Sequence, residues 1–435
     1  MFFNKTLETI SADDLEQLQI EKLQSTLNRV CRNVSFYKNS FDGCGVNIEK
    51  IRSINDLRRL PFTAKADLRK SYPYDMFAVP LKDIVRIHAT SGTTGKPVVV
   101  GYTRNDIAHW TECSARLLTA AGIDDKDVVQ IAFQYSLFTG GFGFHMGASR
   151  IGASVIPSSS TTSAEKQISI MKDYKTTAII CSPSYAAHMS AALKESGLHP
   201  EELFLRVGIF GSEPWTEKLR DKLDMDFHIR SMDSYGLTEV MGPGIAGECE
   251  ERNGLHVNED HFIVEIIDPK TLDPVRPGEK GELVFTTIAK EGFPLVRYRT
   301  GDISRIIEGE CPCGRTLKRI EKITGRTDDM IFIEEQKIFP SQLEEVLLES
   351  EWLQPRYQIC LEREAGRDTM EIKIEISENI PFLDELKTLE KLKLSLEQKI
   401  QSMFGIAARI TPVEPKSLGE APEGKVKRVL DRRDM

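Results

Sequence analysis

A chain of 435 residues with net charge −9 and mean hydropathy −0.29 is long enough for two or more domains, and its acidic balance argues against nucleic acid as a partner. No apolar run reaches the length of a membrane span, and the N-terminus lacks the apolar core of a signal peptide. Eight cysteines are too sparse for a disulfide scaffold, so a cytoplasmic, thiol-reducing setting without a membrane is expected.

In chain order, residues 11–30 carry the period of an amphipathic helix, with Ser11 and Asp14 spaced as a capping box. Residues 84–88 and 97–100 read as strands. From about 84 to 325, apolar β-rich runs (128–133, 177–181, 207–210 and 282–287) alternate with helical stretches, the rhythm of an α/β core with mixed sheets. After about 327 the character changes. Residues 358–361 and 370–376 read as strands, and a charged helix runs from about 383 to 404 and stops at Gly405. A strand near 408–413 then leads into a basic tail. The expected architecture is α/β, with a large N-terminal domain over 1–326 and a small α+β C-terminal domain over 327–435.

Between the first two strands lies ATSGTTGKP, from Ala89 to Pro97. Ser91, Thr93 and Thr94 offer hydroxyls, Gly92 and Gly95 let backbone N–H groups approach an anion, and Lys96 adds a mobile charge. A Walker A loop would open a helix after Gly-Lys-Ser/Thr; here Pro97 and a β-branched run follow, so the loop sits between strands. Four further motifs accompany it. The run from Asp233 through Tyr235, Gly236 and Thr238 to Glu239 presents a ring suited to a purine, a hydroxyl suited to phosphate and a hard oxygen ligand for Mg²⁺. Asp302, after what reads as a glycine turn, suits ribose hydroxyls. The others are residues 325–329, with Arg326 and Asp328, and residues 424–428, with Lys425.

Cysteine spacing makes a separate point. Cys249 is followed by His256 and, much later, by Cys311 and Cys313 in a Cys-Pro-Cys-Gly turn. Three thiols and one imidazole fit a closed, structural Zn²⁺ site, with His261 as a substitute for His256. Cys31, Cys44, Cys113, Cys181 and Cys360 read as packing.

Taken in this order, the motifs from Pro61 to Arg428 resemble the adenylate-forming superfamily, and the segments around Phe210–Trp215 and Phe138–Gly143 resemble its phenylacetate–CoA ligase branch. The resemblance implies an ATP- and Mg²⁺-dependent ligase that adenylates an arylacetate and passes the acyl group to coenzyme A. It implies that Ser91, Gly92, Thr93, Thr94, Gly95 and Lys96 wrap the β- and γ-phosphates. Ser212, Glu213 and Pro214 would border adenine, Tyr235 would stack on it, Thr238 would touch the α-phosphate and Glu239 would hold Mg²⁺. Asp302 would take the ribose, assisted by Arg326. Asp328 matches the hinge of a mobile C-terminal domain, and Lys425 the lysine that enters for adenylation, with Lys427 on the same strand face as an alternative. Tyr135, Phe138, Gly140 and Gly141 are candidates for a flat aryl slot; Phe133, Phe138 and Phe142 read equally as core. A homodimer is implied by the resemblance alone.

One departure stands out. Glu334, Glu335, Gln336 and Lys337 occupy a loop where family members carry a glycine, which makes close backbone approach to pantetheine harder. Two rival readings remain. One is a nucleotidyltransferase that adenylates a deazaflavin-type hydroxyl without CoA; the other is a nucleotide binder without catalysis.

Overall fold

The structure, a computed structural model, describes residues 1–90, 96–327, 331–333, 336–348, 350, 352–364, 367–376, 385–415, 417–418 and 428–433. β1 (Arg86–Ala89) and β2 (Val99–Tyr102) pair antiparallel, as the two apolar runs predict, and hold the ends of the Ser/Thr/Gly loop together. β1 starts two residues later than the sequence suggested, because the turn Leu81–Asp83 takes the Ile84 N–H. The chain then lays down β3 (Val128–Ile131), β4 (Ser154–Ile156), β5 (Ala178–Cys181), β6 (Val207–Gly211), β7 (Arg230–Leu237), β8 (Gly242–Glu248) and β9 (Leu255–Val257). β4, β3, β5, β6 and β7 run parallel in that spatial order; β8 and β9 continue the sheet antiparallel.

Parallel strands need both faces covered. Helices Arg104–Ala120 and Gly140–Ile151 cover one face through Leu118, Ile131, Phe144 and Met232. These two helices touch closely at Gly147, where an added Cβ would stand 2.7 Å from Ser114 Cβ. Helices Ala164–Asp173, Pro183–Glu195 and Glu217–Phe227 cover the other face through Ile168, Ile179, Phe210 and Leu223. Helix Pro183–Glu195 starts as its sequence dictates: Ser182 Oγ accepts the Tyr185 N–H and Pro183 fills the first turn, a cap contributing about 1 kcal/mol.

A second sheet follows, β10 (Phe262–Ile267), β11 (Gly281–Thr287) and β12 (Tyr298–Ser304). It shares a core with the N-terminal helix Ala12–Asn33, whose Ser11 cap accepts the Asp14 N–H as expected. The chain returns to the first sheet with β13 (Ile306–Ile307) and β14 (Arg319–Ile320), then closes the second with β15 (Gly325–Arg326). The turn expected at Gly301 is corrected here. Gly301, at φ +80°, lies within β12, where the register against β11 slips between Glu282 and Val284, and Asp302 rides on that bulge.

The C-terminal portion begins with the antiparallel pair β16 (Ile331–Ile333) and β17 (Gln336–Ile338). Its sheet joins β18 (Leu353–Glu364), β19 (Arg367–Ile376), β20 (Ala408–Val413) and β21 (Val429–Asp431). Helix Glu385–Phe404, stopped by Gly405 at φ +73°, and helix Pro340–Leu347 pack on it around Ile359, Ile372 and Ile400. The fold is thus a large α/β portion of mixed sheets followed by a smaller α+β domain with its own core. No described helix is long and apolar enough to cross a membrane.

Candidate active site

Ligands of open α/β sheets bind beyond the carboxyl ends of the parallel strands, and β6 and β7 end in the predicted motifs. One cleft there is lined by Ser212, Glu213, Pro214, Asp233, Tyr235, Gly236, Asp302 and Arg326, so the sequence-predicted adenine and ribose residues converge. Ser212 takes φ +72° at the sharp exit from β6, and Glu213 Oε1 accepts the Ser184 N–H at the start of helix Pro183–Glu195. The Tyr235 hydroxyl donates to Asp302 Oδ2 at 2.6 Å, and Arg326 donates to Asp302 Oδ1 at 2.6 Å. Burial, then Asp302, raises the Tyr235 hydroxyl well above its ordinary pKa and keeps it a donor. Burial likewise raises the Asp233 carboxyl, against the pull of Lys322.

After β7 the chain turns sharply, the Val240 and Met241 N–H groups both meeting Leu237 O. That turn carries Thr238 and Glu239. Thr238 Oγ1 stands 3.0 Å from Thr139 Oγ1, and Glu239 Oε1 is 3.1 Å from Lys65 Nζ. Leu137 O, two residues before Thr139, accepts the Ala89 N–H at 3.1 Å and lies 3.0 Å from His88 Nδ1. The base of the Ser/Thr/Gly loop, the aryl-slot segment and the Thr238–Glu239 turn therefore meet at residues 137–139. Lys96 lies over the Tyr72 ring at 5.3 Å. Ser91, Gly92, Thr93, Thr94, Gly95, Asp328, Glu334, Glu335, Lys425 and Lys427 lie outside the described residues.

The segment expected to form an aryl slot is more filled than its glycines suggest. An added Cβ on Gly140 would strike the Phe138 ring, and one on Gly141 would come within 3.1 Å of Gln134 O, so these glycines let the segment fold back on its helix. Phe133 stacks on Phe144 at 5.9 Å in the core, as its alternative reading held. Tyr135 is half-buried, with its hydroxyl 3.3 Å from His145 Nδ1 and its ring edge-on to Phe142 at 5.3 Å. Burial raises its hydroxyl above the ordinary value.

Cys249, His256, Cys311 and Cys313 come together from the end of β8, from β9 and from the loop before β14, their ligand atoms all within 4.8 Å of one another. Cys249 Sγ is 3.7 Å from Cys311 Sγ, and Cys313 Sγ is 3.4 Å from His256 Nε2. His261 stands apart against Asp260 at 3.3 Å, which removes it as a substitute ligand. Cys44 is exposed, against the packing reading.

Sequence reasoning missed Lys65, Lys290, Thr139 and His145. Lys290 is 2% exposed and donates to Val240 O at 2.7 Å. Thr139 lies in the Phe138–Gly143 segment but was given no role there; Lys65, Lys290 and His145 sit in no recognisable motif, and only the tertiary approach of separate segments marks them.

The family described as AMP-binding enzyme matches residues 24–289, and the AMP-binding enzyme C-terminal domain matches residues 336–433. The phenylacetate-coenzyme A ligase of Escherichia coli (strain K12) is 43% identical over 431 residues, covering 99% of this chain and 97% of the relative. That of Thermus thermophilus is 41% identical over the full length of both. Among solved structures, 2-hydroxyisobutyryl-CoA ligase in its postadenylation state, with an acyl-AMP bound, superposes at TM-score 0.91, with 26% identity over 99% of this chain and 92% of that one. The same enzyme in its thioesterification state with CoA gives 0.73 at 27% identity, over 100% and 93%. The chain belongs to the AMP-binding enzymes, in the branch of the phenylacetate-coenzyme A ligases.

Proposed function

We propose that this chain is an AMP-forming acid–CoA ligase that activates phenylacetate or a similar arylacetate with ATP and transfers the acyl group to coenzyme A. The observation that supports it is the cleft in which Tyr235, Arg326 and Asp302 form one network beside the Thr238–Glu239 turn. A carboxylate is a poor acyl donor because its leaving group would be an oxide. Attack of its oxygen on the α-phosphate releases pyrophosphate and gives an acyl-adenylate; the CoA thiol then displaces AMP. Tyr235 and Ser212–Pro214 bind adenine, and Asp302 exchanges its protein partners for ribose hydroxyls. Thr238 orients the α-phosphate, while Ser91–Lys96 grip the outer phosphates. Lys425 acts as a point charge on the developing anion, not as a base. Holding the acid and ATP in line contributes on the order of several kcal/mol. Tyr135, Phe138, Gly140 and Gly141 border the aryl group.

The residues fit the two metals. Glu239 is 4% exposed and its partner is the half-exposed Lys65, an ammonium that a cation can replace; Glu239 would hold Mg²⁺, which screens phosphate charge when bound. Cys249, His256, Cys311 and Cys313 match the donor set of a closed Zn²⁺ site, which would tie β8 and β9 to the loop before β14. We further place the boundary between domains at 326/327, with the C-terminal domain turning about Asp328 between the two half-reactions. The two matched states of 2-hydroxyisobutyryl-CoA ligase support such a motion. A homodimer in the cytoplasm, without nucleic acid or membrane, completes the reading.

The test is pyrophosphate release against a panel of carboxylic acids. Release with an arylacetate, and turnover that requires CoA, supports the ligase; AMP retained on the product without CoA would point instead to adenylyl transfer to a hydroxyl.

A further inference from the structure

Lys290 is among the largest fully buried side chains described, and its ammonium rests against backbone carbonyls and ring faces. Nζ donates to Val240 O at 2.7 Å and to Glu239 O at 3.4 Å, and sits 4.6 Å from the centre of the Tyr102 ring and 5.4 Å from that of Phe293. The Tyr102 hydroxyl takes the next carbonyl, Met241 O, at 2.8 Å. Three consecutive carbonyls of the turn that carries Glu239 are thus held from behind by two side chains. The loop bearing Lys290 is itself tied down, because the Glu291 and Gly292 N–H groups donate to the fully buried Asp106 carboxylate at 2.6 and 2.8 Å. A buried charge costs stability, and replacing such groups by apolar ones is often neutral or stabilising, so a purely structural account of this ammonium is weak.

We propose that Lys290 is a positioning residue for the cation-holding turn: with Tyr102 it fixes the Glu239–Met241 backbone so that the Glu239 carboxylate is presented toward Lys65, beside the nucleotide cleft. The assignment rests on the reading that Glu239 holds Mg²⁺. Lys290 touches neither nucleotide nor acid; it sets where the carboxylate stands.

The test uses the full chain as Lys290→Met and Tyr102→Phe, with Glu239→Gln as reference. Calorimetric titration with ATP alone, with and without MgCl₂ and without any acid, reads cation binding independently of turnover. Lys290→Met is expected to keep its thermal midpoint or raise it, to bind metal-free ATP as the parent does, and to lose about tenfold of the Mg²⁺-dependent gain in ATP affinity. In adenylation, the half-saturating Mg²⁺ concentration rises by about the same factor while KM for the acid stays unchanged. Tyr102→Phe shifts the same way by less. A parent gain that vanishes in Glu239→Gln but persists intact in Lys290→Met overturns the Lys290 assignment alone. If Lys290→Met does not fold, an unchanged Mg²⁺ dependence in Tyr102→Phe overturns it. A parent whose ATP affinity ignores Mg²⁺ overturns the Glu239 reading and this assignment with it.

Discussion

Asp302 enters the nucleotide cleft with both carboxylate oxygens already engaged, one by the Tyr235 hydroxyl and one by Arg326. Along β8 and β9, Cys249, His256, Cys311 and Cys313 have mainly one another, and His256 Nδ1 is buried with no hydrogen-bond partner. In the cleft the protein supplies polar partners that a ligand can replace group for group. In the cluster four side chains of metal-ligand type converge within 4.8 Å of one another, a donor set that fits a cation. The cleft should therefore tolerate an absent ligand and the cluster should not tolerate an absent metal.

Breaking the cluster sharpens the contrast most. Cys311→Ser or Cys313→Ser should lose the one zinc per chain and about 4 kcal/mol or more of stability, read by metal analysis and thermal unfolding. A metal-free parent of full stability would end that account. On the cleft side, effects should fall on rates and affinities instead. Lys425→Ala should lower adenylation by about 100- to 1000-fold while sparing thioester formation from a supplied acyl-adenylate; an equal fall in both half-reactions would count against its role. Asp302→Asn should raise KM for ATP by about tenfold or more with little change in the thermal midpoint. Tyr235→Phe, which removes only one hydrogen bond, should cost about tenfold at most.

A separate effect concerns pH. Burial lowers the Lys290 amine to about 7 from 10.5, with Asp106 and Glu239 pulling it back up. Between about pH 7 and 10.5 the unfolded chain then binds more protons at this group than the folded one, so its contribution to stability rises with pH across that window. Chemical unfolding of the parent and of Lys290→Met at both ends of the window should show stability changing more favourably with rising pH in the parent than in the variant.

Much of the site was legible because its chemistry is written in short segments. Asp233 through Glu239 are contiguous, and Cys311 and Cys313 announce themselves by spacing. The alternation of apolar runs likewise foretold the sheet, since β5 and β6 are apolar throughout and β3 is apolar but for Gln130. What the sequence hid depends on distant segments meeting. Lys65 finds Glu239, and Lys290 finds Val240, only because the second sheet packs against the turn after β7. At Gly140 and Gly141 the missing Cβ leaves room that the same segment, folded back, takes up: the Phe138 ring lies against Gly140 and the Gln134 carbonyl against Gly141. Asp302 was assigned its chemistry from a turn that proved to be a strand bulge, because Gly301 permits either.

The most direct test of the central claim is mass analysis of the products formed by the parent chain with ATP, phenylacetate and coenzyme A. The account predicts an arylacetyl thioester together with AMP and pyrophosphate, and acyl-adenylate alone when CoA is withheld. Pyrophosphate release that requires a hydroxyl acceptor, leaves AMP attached to the product and ignores CoA would contradict it.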